Sequence, residues 1–243
     1  MTSSLLTDIG RRLTNEDSGR IVTPADPAVL AAKGILVLVA DGMGGHQAGE
    51  VASDLAVEVI QQLYYENRAE ARESLVAAFE EANRRIYDAA ASQATLKGMG
   101  TTCAALVLLG ESAICAHVGD SRVYLARGHR LRRMTEDHSV VQHMIDIGLV
   151  SHDEARGHPD KNIILRALGS QRDVEVATWD SPLPIAPDDQ FLVCSDGLHD
   201  ALTDEEIGSI LGQHATDDAC RQLMALAKAR GGTDNITVAV VQV

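Results

Sequence analysis

An α+β fold, with helices and strands in separate blocks, is what this sequence predicts. Two long stretches repeat apolar residues with the helical period, and the short stretches after them are rich in Val, Ile, Thr and Cys. Between these blocks there is no strict βαβ alternation.

The elements follow in order. Ile35 to Ala40 is an apolar strand running into the glycine-rich turn DGMGGHQAGE. From Ala48 to Leu63, Val51, Leu55, Val59 and Leu63 recur every fourth residue, with Ala52, Ala56 and Ile60 beside them. From Glu70 to Ala91, Leu75, Phe79, Ala82 and Ile86 form a second helical stripe. Thr101–Leu109, Ser112–Val118 and Ser121–Ala126 are divided by Gly110-Glu111 and Gly119-Asp120 and read as an antiparallel meander. Ser139–Gly148 predicts a short helix, followed by polar, histidine-rich sequence up to Gly169. Three of the six prolines fall between Pro182 and Pro187, a loop crossing between strands in preference to a domain linker. Phe191–Cys194 is a short buried strand, and Thr203-Asp204-Glu205-Glu206 is a capping box opening a helix. Thr216 is expected to cap another helix that stops at Gly231-Gly232, and Asn235–Val243 closes the chain as a strand.

Composition narrows the function. A net charge of −14 argues against a broad nucleic-acid surface, and 45% apolar residues fit a soluble globular protein. The opening MTSSLLTDIGRR lacks the apolar core of a signal peptide, and no apolar run reaches the length of a membrane span. A soluble, cytoplasmic protein is the expectation. The four cysteines lie far apart without a CxxC pair and read as buried, reduced thiols.

The glycine-rich turn invites a nucleotide reading, which fails. Gly44 and Gly49 have P-loop spacing, but Glu50 and Val51 stand where Lys and Ser or Thr are required. The dinucleotide fingerprint fails because Gln47 takes the third glycine position. Asp41, at the end of the apolar strand, suggests something else. The same pattern returns at FLVCSDG with Asp196 and at ICAHVGDS with Asp120, while Asp234 lies just before the last strand. Asn15-Glu16-Asp17 is read as a turn near the start. One Asp-Gly at a strand end is ordinarily just a turn; several in one small domain invite the idea that they meet. Two such charges 4 Å apart would repel by about 4 kcal/mol at an effective dielectric near 20, against a total stability of roughly 5–15 kcal/mol. Divalent ions would relieve this, and all-oxygen donors point to Mg²⁺ or Mn²⁺ rather than zinc. Spacing alone leaves open whether the carboxylates converge or scatter over the surface.

The segments GRRLTNEDS, LVADGMGGHQAGE, GMGTTCAALVL, AHVGDSRVYL, FLVCSDGLHD and GGTDNITVAVV occur in the order seen in the protein phosphatase 2C family, the metal-dependent PPM phosphatases. The chain resembles the compact bacterial stand-alone members from about residue 8 to its C-terminus. That resemblance implies a single catalytic domain over residues 1–243, with a central β-sandwich of two antiparallel sheets and helices on both outer faces. It also implies a flap subdomain at about residues 138–170.

The resemblance also implies a set of roles. Asp41 would bridge two metal ions and Gly42 would offer its carbonyl. Asp196 and Asp234 would complete one ion, and Glu16 and Asp17 would hold metal-bound waters or the ions themselves. Asp120 matches the position for a third, looser ion, with Asp196 shared. Arg12 matches the arginine that grips the substrate phosphate, and a hydroxide held between two ions would attack phosphorus. No cysteine has an arginine six positions on, which excludes the thiol-based Cx₅R mechanism. Some members carry a histidine directly after the Asp-Gly pair; here Met43 stands there and cannot donate a proton. His46 is a candidate substitute, ranked below a plain surface role, so the general acid is left unassigned. His138, His143, His152 and His158 read as solvated flap residues, Gly100-Thr101-Thr102 as strand packing, Arg122 as the partner of a nearby acid and Arg166 as a flap support.

The expected activity is hydrolysis of phosphoserine and phosphothreonine in proteins by a monomeric enzyme. Its counterpart would be a bacterial Ser/Thr kinase of eukaryotic type, itself a candidate substrate. A catalytically inactive member serving as a binding module is the alternative, but it would be announced by loss of a metal aspartate. A two-metal phosphodiesterase or nuclease is disfavoured by the acidic balance.

Overall fold

In the computed structural model, described over residues 1–44, 47–128 and 130–243, apolar strand runs pair into two antiparallel sheets. The strands are β1 (Thr2–Asp8), β2 (Asp17–Val22), β3 (Ile35–Met43), β4 (Gly100–Thr101), β5 (Cys103–Leu109), β6 (Ser112–Val118), β7 (Arg122–Arg127), β8 (Arg130–Arg133), β9 (Ala177–Thr178), β10 (Leu183–Pro184), β11 (Gln190–Cys194) and β12 (Ile236–Gln242). One sheet has the order β1-β12-β11-β7-β8, and the other β10-β6-β5-β3-β2, with β4 beside β3 and β9 beside β6.

The helices are α1 (Pro27–Lys33), α2 (Gln47–Glu66), α3 (Ala71–Ser92), α4 (Val140–Asp146), α5 (His152–Arg156), α6 (Asp196–His199), α7 (Asp204–Gln213) and α8 (Thr216–Ala229). Three apolar layers explain why central strands read as unbroken hydrophobic runs. Val37, Val39, Leu106, Phe191, Val193 and Ala239 fill the space between the sheets. The alternate residues Leu36, Leu38 and Ala40 of β3 face outward onto α2 and α3 through Ala56, Ile60, Leu75 and Phe79. On the other side Leu192, Cys194, Val238 and Val240 meet Leu211, Leu223 and Ala227 of α7 and α8. The four-layer helix–sheet–sheet–helix stack is the architecture expected from the resemblance.

Several local expectations change. The buried face of α2 centres on Ala52, Ala56, Val59 and Ile60, and Val51 is 38% exposed, because close packing against α3 selects the small side chains. Asp17 opens β2 instead of sitting in a turn, since it pairs with Asp41 across the sheet. Thr216 is the first residue of α8 rather than its cap; Ala215 holds the cap position without a side-chain bond. The capping box at Thr203 and Glu206 forms as read. The proline-rich segment supplies β10, an edge strand on β6, where the missing proline N–H costs no ladder bond. All four cysteines are buried and free.

Candidate active site

The acids converge because of how the strands pair. Asp17 and Asp41 are direct partners in the β2–β3 ladder, so two carboxylates stand side by side at one sheet edge. Asp196 follows β11 and Asp234 precedes β12, and these two strands pair in the other sheet. Asp120 lies in the turn joining β6 of the first sheet to β7 of the second. The cleft is therefore a seam between the sheets. Asp41 and Asp196 are within hydrogen-bonding reach of each other, and both feel the fields of Asp17 and Asp120. Arg12 reaches Asp234 at 2.5 Å and also lies in the fields of Asp196 and Glu16. Every acid singled out in the sequence belongs to this one network.

Burial and mutual repulsion disfavour the charged forms. Desolvation, with the charge of Asp196 next, holds Asp41 well above the usual carboxylate range; burial, with Asp120 next, does the same to Asp196. Burial pushes Asp17 up to about 6, although Ser195 donates to its Oδ2 at 2.7 Å. Burial, with Asp137 next, pushes Asp120 up to about 7. The bond to Asp234 raises the pKa of Arg12, which stays a cation.

Glycine is required where the loops press together. A Cβ on Gly42 would overlap the Gly49 carbonyl and crowd that of Glu16, which accepts from Gly42 N–H at 3.0 Å. A Cβ on Gly49 would overlap the Glu16 carboxylate. The glycine-rich turn thus seats an acid against the backbone.

Supporting residues have roles at the site that the sequence reading did not give them. Thr102 Oγ1 accepts from Asp41 N–H at 3.1 Å, and Thr101 Oγ1 donates to the Asp41 carbonyl at 2.8 Å. Thr102 N–H also donates to that carbonyl at 2.8 Å, so this threonine pair fixes the Asp41 backbone in addition to packing a strand. Asn235 Oδ1 accepts from Glu16 N–H at 2.8 Å, while its Nδ2 donates to the carbonyls of Ile9 and Thr14, each at 2.9 Å. It thereby ties the segment carrying Arg12 and Glu16 to β12. Its only sequence signal was its place after Asp234.

Arg122 pairs with Asp137 at 2.5 Å, as expected, and Arg166 with the exposed Glu175 at 3.1 Å. Of the flap histidines, His143 and His152 are exposed. His138 is half-buried: its ring stacks on that of His117 with centroids 4.8 Å apart. Burial, with the neighbouring His117 next, lowers His138 to about 4, and burial lowers His199 to about 3. A cavity of about 490 Å³ opens beside the cleft, bordered by Asp120, Asp196, His199, Ser139 and Arg156. Met43 ends β3, and His46 lies outside the described residues.

The donor set fits hard divalent cations. The buried oxygens Asp17 Oδ1, Asp120 Oδ1 and Asp196 Oδ1 have no hydrogen-bond donor, and every side-chain donor singled out here is a carboxylate. Among the described residues no group of three or more His, Cys, Asp or Glu side chains is closed around a common ion position.

Comparison with known proteins agrees with this geometry. The protein phosphatase 2C model matches residues 10–237. The chain is 39% identical to serine/threonine phosphatase stp of Listeria monocytogenes, over 100% of this chain and 96% of that protein. The S. agalactiae serine/threonine phosphatase has a similar structure, with a TM-score of 0.90 at 37% identity over 100% of this chain and 99% of that one. The catalytic domain of the phosphatase PstP, solved in complex with two manganese ions, gives a TM-score of 0.83 at 33% identity over 99% of this chain and 97% of that one. Sequence and fold agree along the chain, which belongs to the protein phosphatase 2C family of serine/threonine phosphatases.

Proposed function

We propose that the chain is a single catalytic domain, with a flap at about residues 138–170, that removes phosphate from phosphoserine and phosphothreonine in proteins using two Mn²⁺ or Mg²⁺ ions. The observation that carries this reading is the meeting of Asp17, Asp41, Asp120, Asp196 and Asp234 at the seam, with Arg12 at its rim. The manganese pair in the PstP structure supports it.

Asp41, with the Gly42 carbonyl, Asp196 and Asp234 would hold the two ions, and Glu16 and Asp17 would hold their waters or the ions directly. Asp120, sharing Asp196, would hold a third. Bound ions would supply a water made acidic enough to attack phosphorus at neutral pH and would offset charge on the phosphoryl oxygens. Arg12 presents a planar, permanently charged fork to those oxygens, and its exposed side chain leaves it open to substrate. Met43 has no proton to give, so the leaving oxygen takes its proton from another source.

A monomeric cytoplasmic enzyme opposing a bacterial eukaryotic-type Ser/Thr kinase is the biological setting we infer. Among the described residues no helix is long and apolar enough to cross a membrane. The test is hydrolysis of p-nitrophenyl phosphate and of a phosphothreonine peptide with Mn²⁺, followed by EDTA. Mn²⁺-dependent turnover of both is expected; turnover that survives complete chelation would refute the metal reading.

A further inference from the structure

The Gly119-Asp120 turn, which carries one acid of the cleft, is held by two histidines. Gly119 N–H donates to His138 Nδ1 at 3.1 Å, and His138 N–H donates back to the Gly119 carbonyl at 3.0 Å. His199 Nε2 lies 3.0 Å from the Asp120 carbonyl oxygen. These partners dictate the tautomers: His138 Nδ1 must be bare to accept, and His199 Nε2 must carry the proton to donate. His138 is held in plane by the stacked His117, whose own Nε2 lies 2.8 Å from the Glu136 carbonyl oxygen.

The turn is also pressed against Thr102. Gly119 has φ +100°, and a Cβ there would overlap Thr102, whose Oγ1 bonds Ser121 Oγ at 2.7 Å. While its backbone is fastened, the Asp120 side chain is 94% buried by residue exposure of 6%, and its Oδ1 has no donor. His199 Nδ1 is likewise buried without a hydrogen-bond partner on the same cavity.

We propose that His138 and His199 are positioning residues that hold the Asp120 carboxylate toward the cavity and so set the affinity of the weakest divalent-cation site. The inference rests on the reading that Asp120 binds an ion. The chemistry explains the residue type. An arginine or lysine could donate to the Asp120 carbonyl, but its charge would repel a divalent cation nearby. A neutral imidazole supplies the same hydrogen bond without charge, and on the His138 side it supplies an acceptor that neither cation has.

The experiment titrates metal-stripped protein with Mn²⁺, counting free ion by electron paramagnetic resonance, and measures p-nitrophenyl phosphate kinetics across Mn²⁺ concentrations. His138→Leu and His199→Leu remove the bonds, while His138→Asn keeps an acceptor near the Nδ1 position and His199→Gln a donor near Nε2. Each Leu variant is expected to weaken the last Mn²⁺ binding step by roughly tenfold or more, with tighter steps retained. At limiting Mn²⁺, kcat should fall more than KM rises, and the Asn and Gln variants should recover most of the loss. Folded Leu variants with the wild-type isotherm would overturn the proposal, as would Asn and Gln variants no better than Leu. Should a Leu variant fail to fold, ¹⁵N spectra of the wild-type rings at pH 7 decide: two neutral Nε2–H tautomers support the clamp, and a charged ring on either side refutes it. A wild type that hydrolyses p-nitrophenyl phosphate but lacks a weak binding step defeats only this inference; one inert with Mn²⁺ defeats the function itself.

Discussion

Arg12 donates to Asp234 at 2.5 Å, so the cation assigned to the substrate phosphate rests on a carboxylate assigned to the metal. The other oxygen of Asp234 accepts from Asn235 N–H at 2.8 Å. The pair is exposed on the arginine side and adds little stability. Its importance is competitive, because arginine and divalent cation seek the same oxygen. Arg12→Ala should therefore tighten Mn²⁺ binding in calorimetry while raising KM for a phosphopeptide by roughly 10- to 100-fold. Arg12→Lys should restore KM only in part, since one ammonium cannot replace a bidentate fork. An unchanged KM would assign the phosphate grip to another group.

Asp196→Asn removes a charge from the centre of the acid network. Activity with Mn²⁺ should fall by more than about 100-fold. The same variant should melt at a higher temperature than wild type in EDTA at alkaline pH, where the buried native carboxyls are driven to ionise beside one another and an amide is not. A lower melting temperature in EDTA would mean that the native carboxylates do not strain the fold.

The metal-free protein should lose stability as pH rises towards about 7 and level off above it. Asp17 at about 6 and Asp120 at about 7, with Asp41 and Asp196 also raised by burial, hold protons that the unfolded chain has already released. Raised folded-state values give a contribution that is full at acid pH and lost as pH climbs through them, by up to about 1.4 kcal/mol per pH unit for each proton retained. Below pH 6.5 the buried histidines oppose this trend, because His138 and His199 must stay neutral while the unfolded chain protonates. Denaturant titrations in EDTA and in Mn²⁺ measure the difference, and saturating Mn²⁺ should abolish the loss.

Thr102→Val keeps the shape of the side chain but removes the oxygen that accepts from Asp41 N–H and bonds Ser121. Urea unfolding should show a loss of about 1–3 kcal/mol, the cost of an unsatisfied buried donor. Catalysis should fall with it, through kcat more than KM. Full stability would show that Asp41 N–H finds another acceptor.

The acids were legible because an apolar run ending in Asp marks a strand end. Their meeting was not, since it depends on which strands pair: nothing near Asp17 says that it stands opposite Asp41. The helical stripe of α3 was legible, as Leu75, Phe79, Ala82 and Ile86 all point inward. β1 and β2 lacked a signal because half-exposed outer strands mix polar and apolar residues. α1 had one that went unread: Asp26 caps it by accepting from Ala28 N–H at 2.8 Å, with Pro27 at its first turn. His117 sits in an apolar run, where a histidine reads like any other core residue, and His199 stands between Leu198 and Asp200, where no pattern marks it as buried.

Because Asp17 and Asp41 hang from one sheet while Asp196 and Asp234 hang from the other, a bound cation would be a rivet through the two halves of the sandwich. Chelation should then loosen the contact between halves before it frays either, so that the side chains of Phe191 and Val193, packed between the sheets, become mobile early while ladder amides stay protected and helix content holds. Such an enzyme would acquire its chemistry and its last increment of cohesion in the same event.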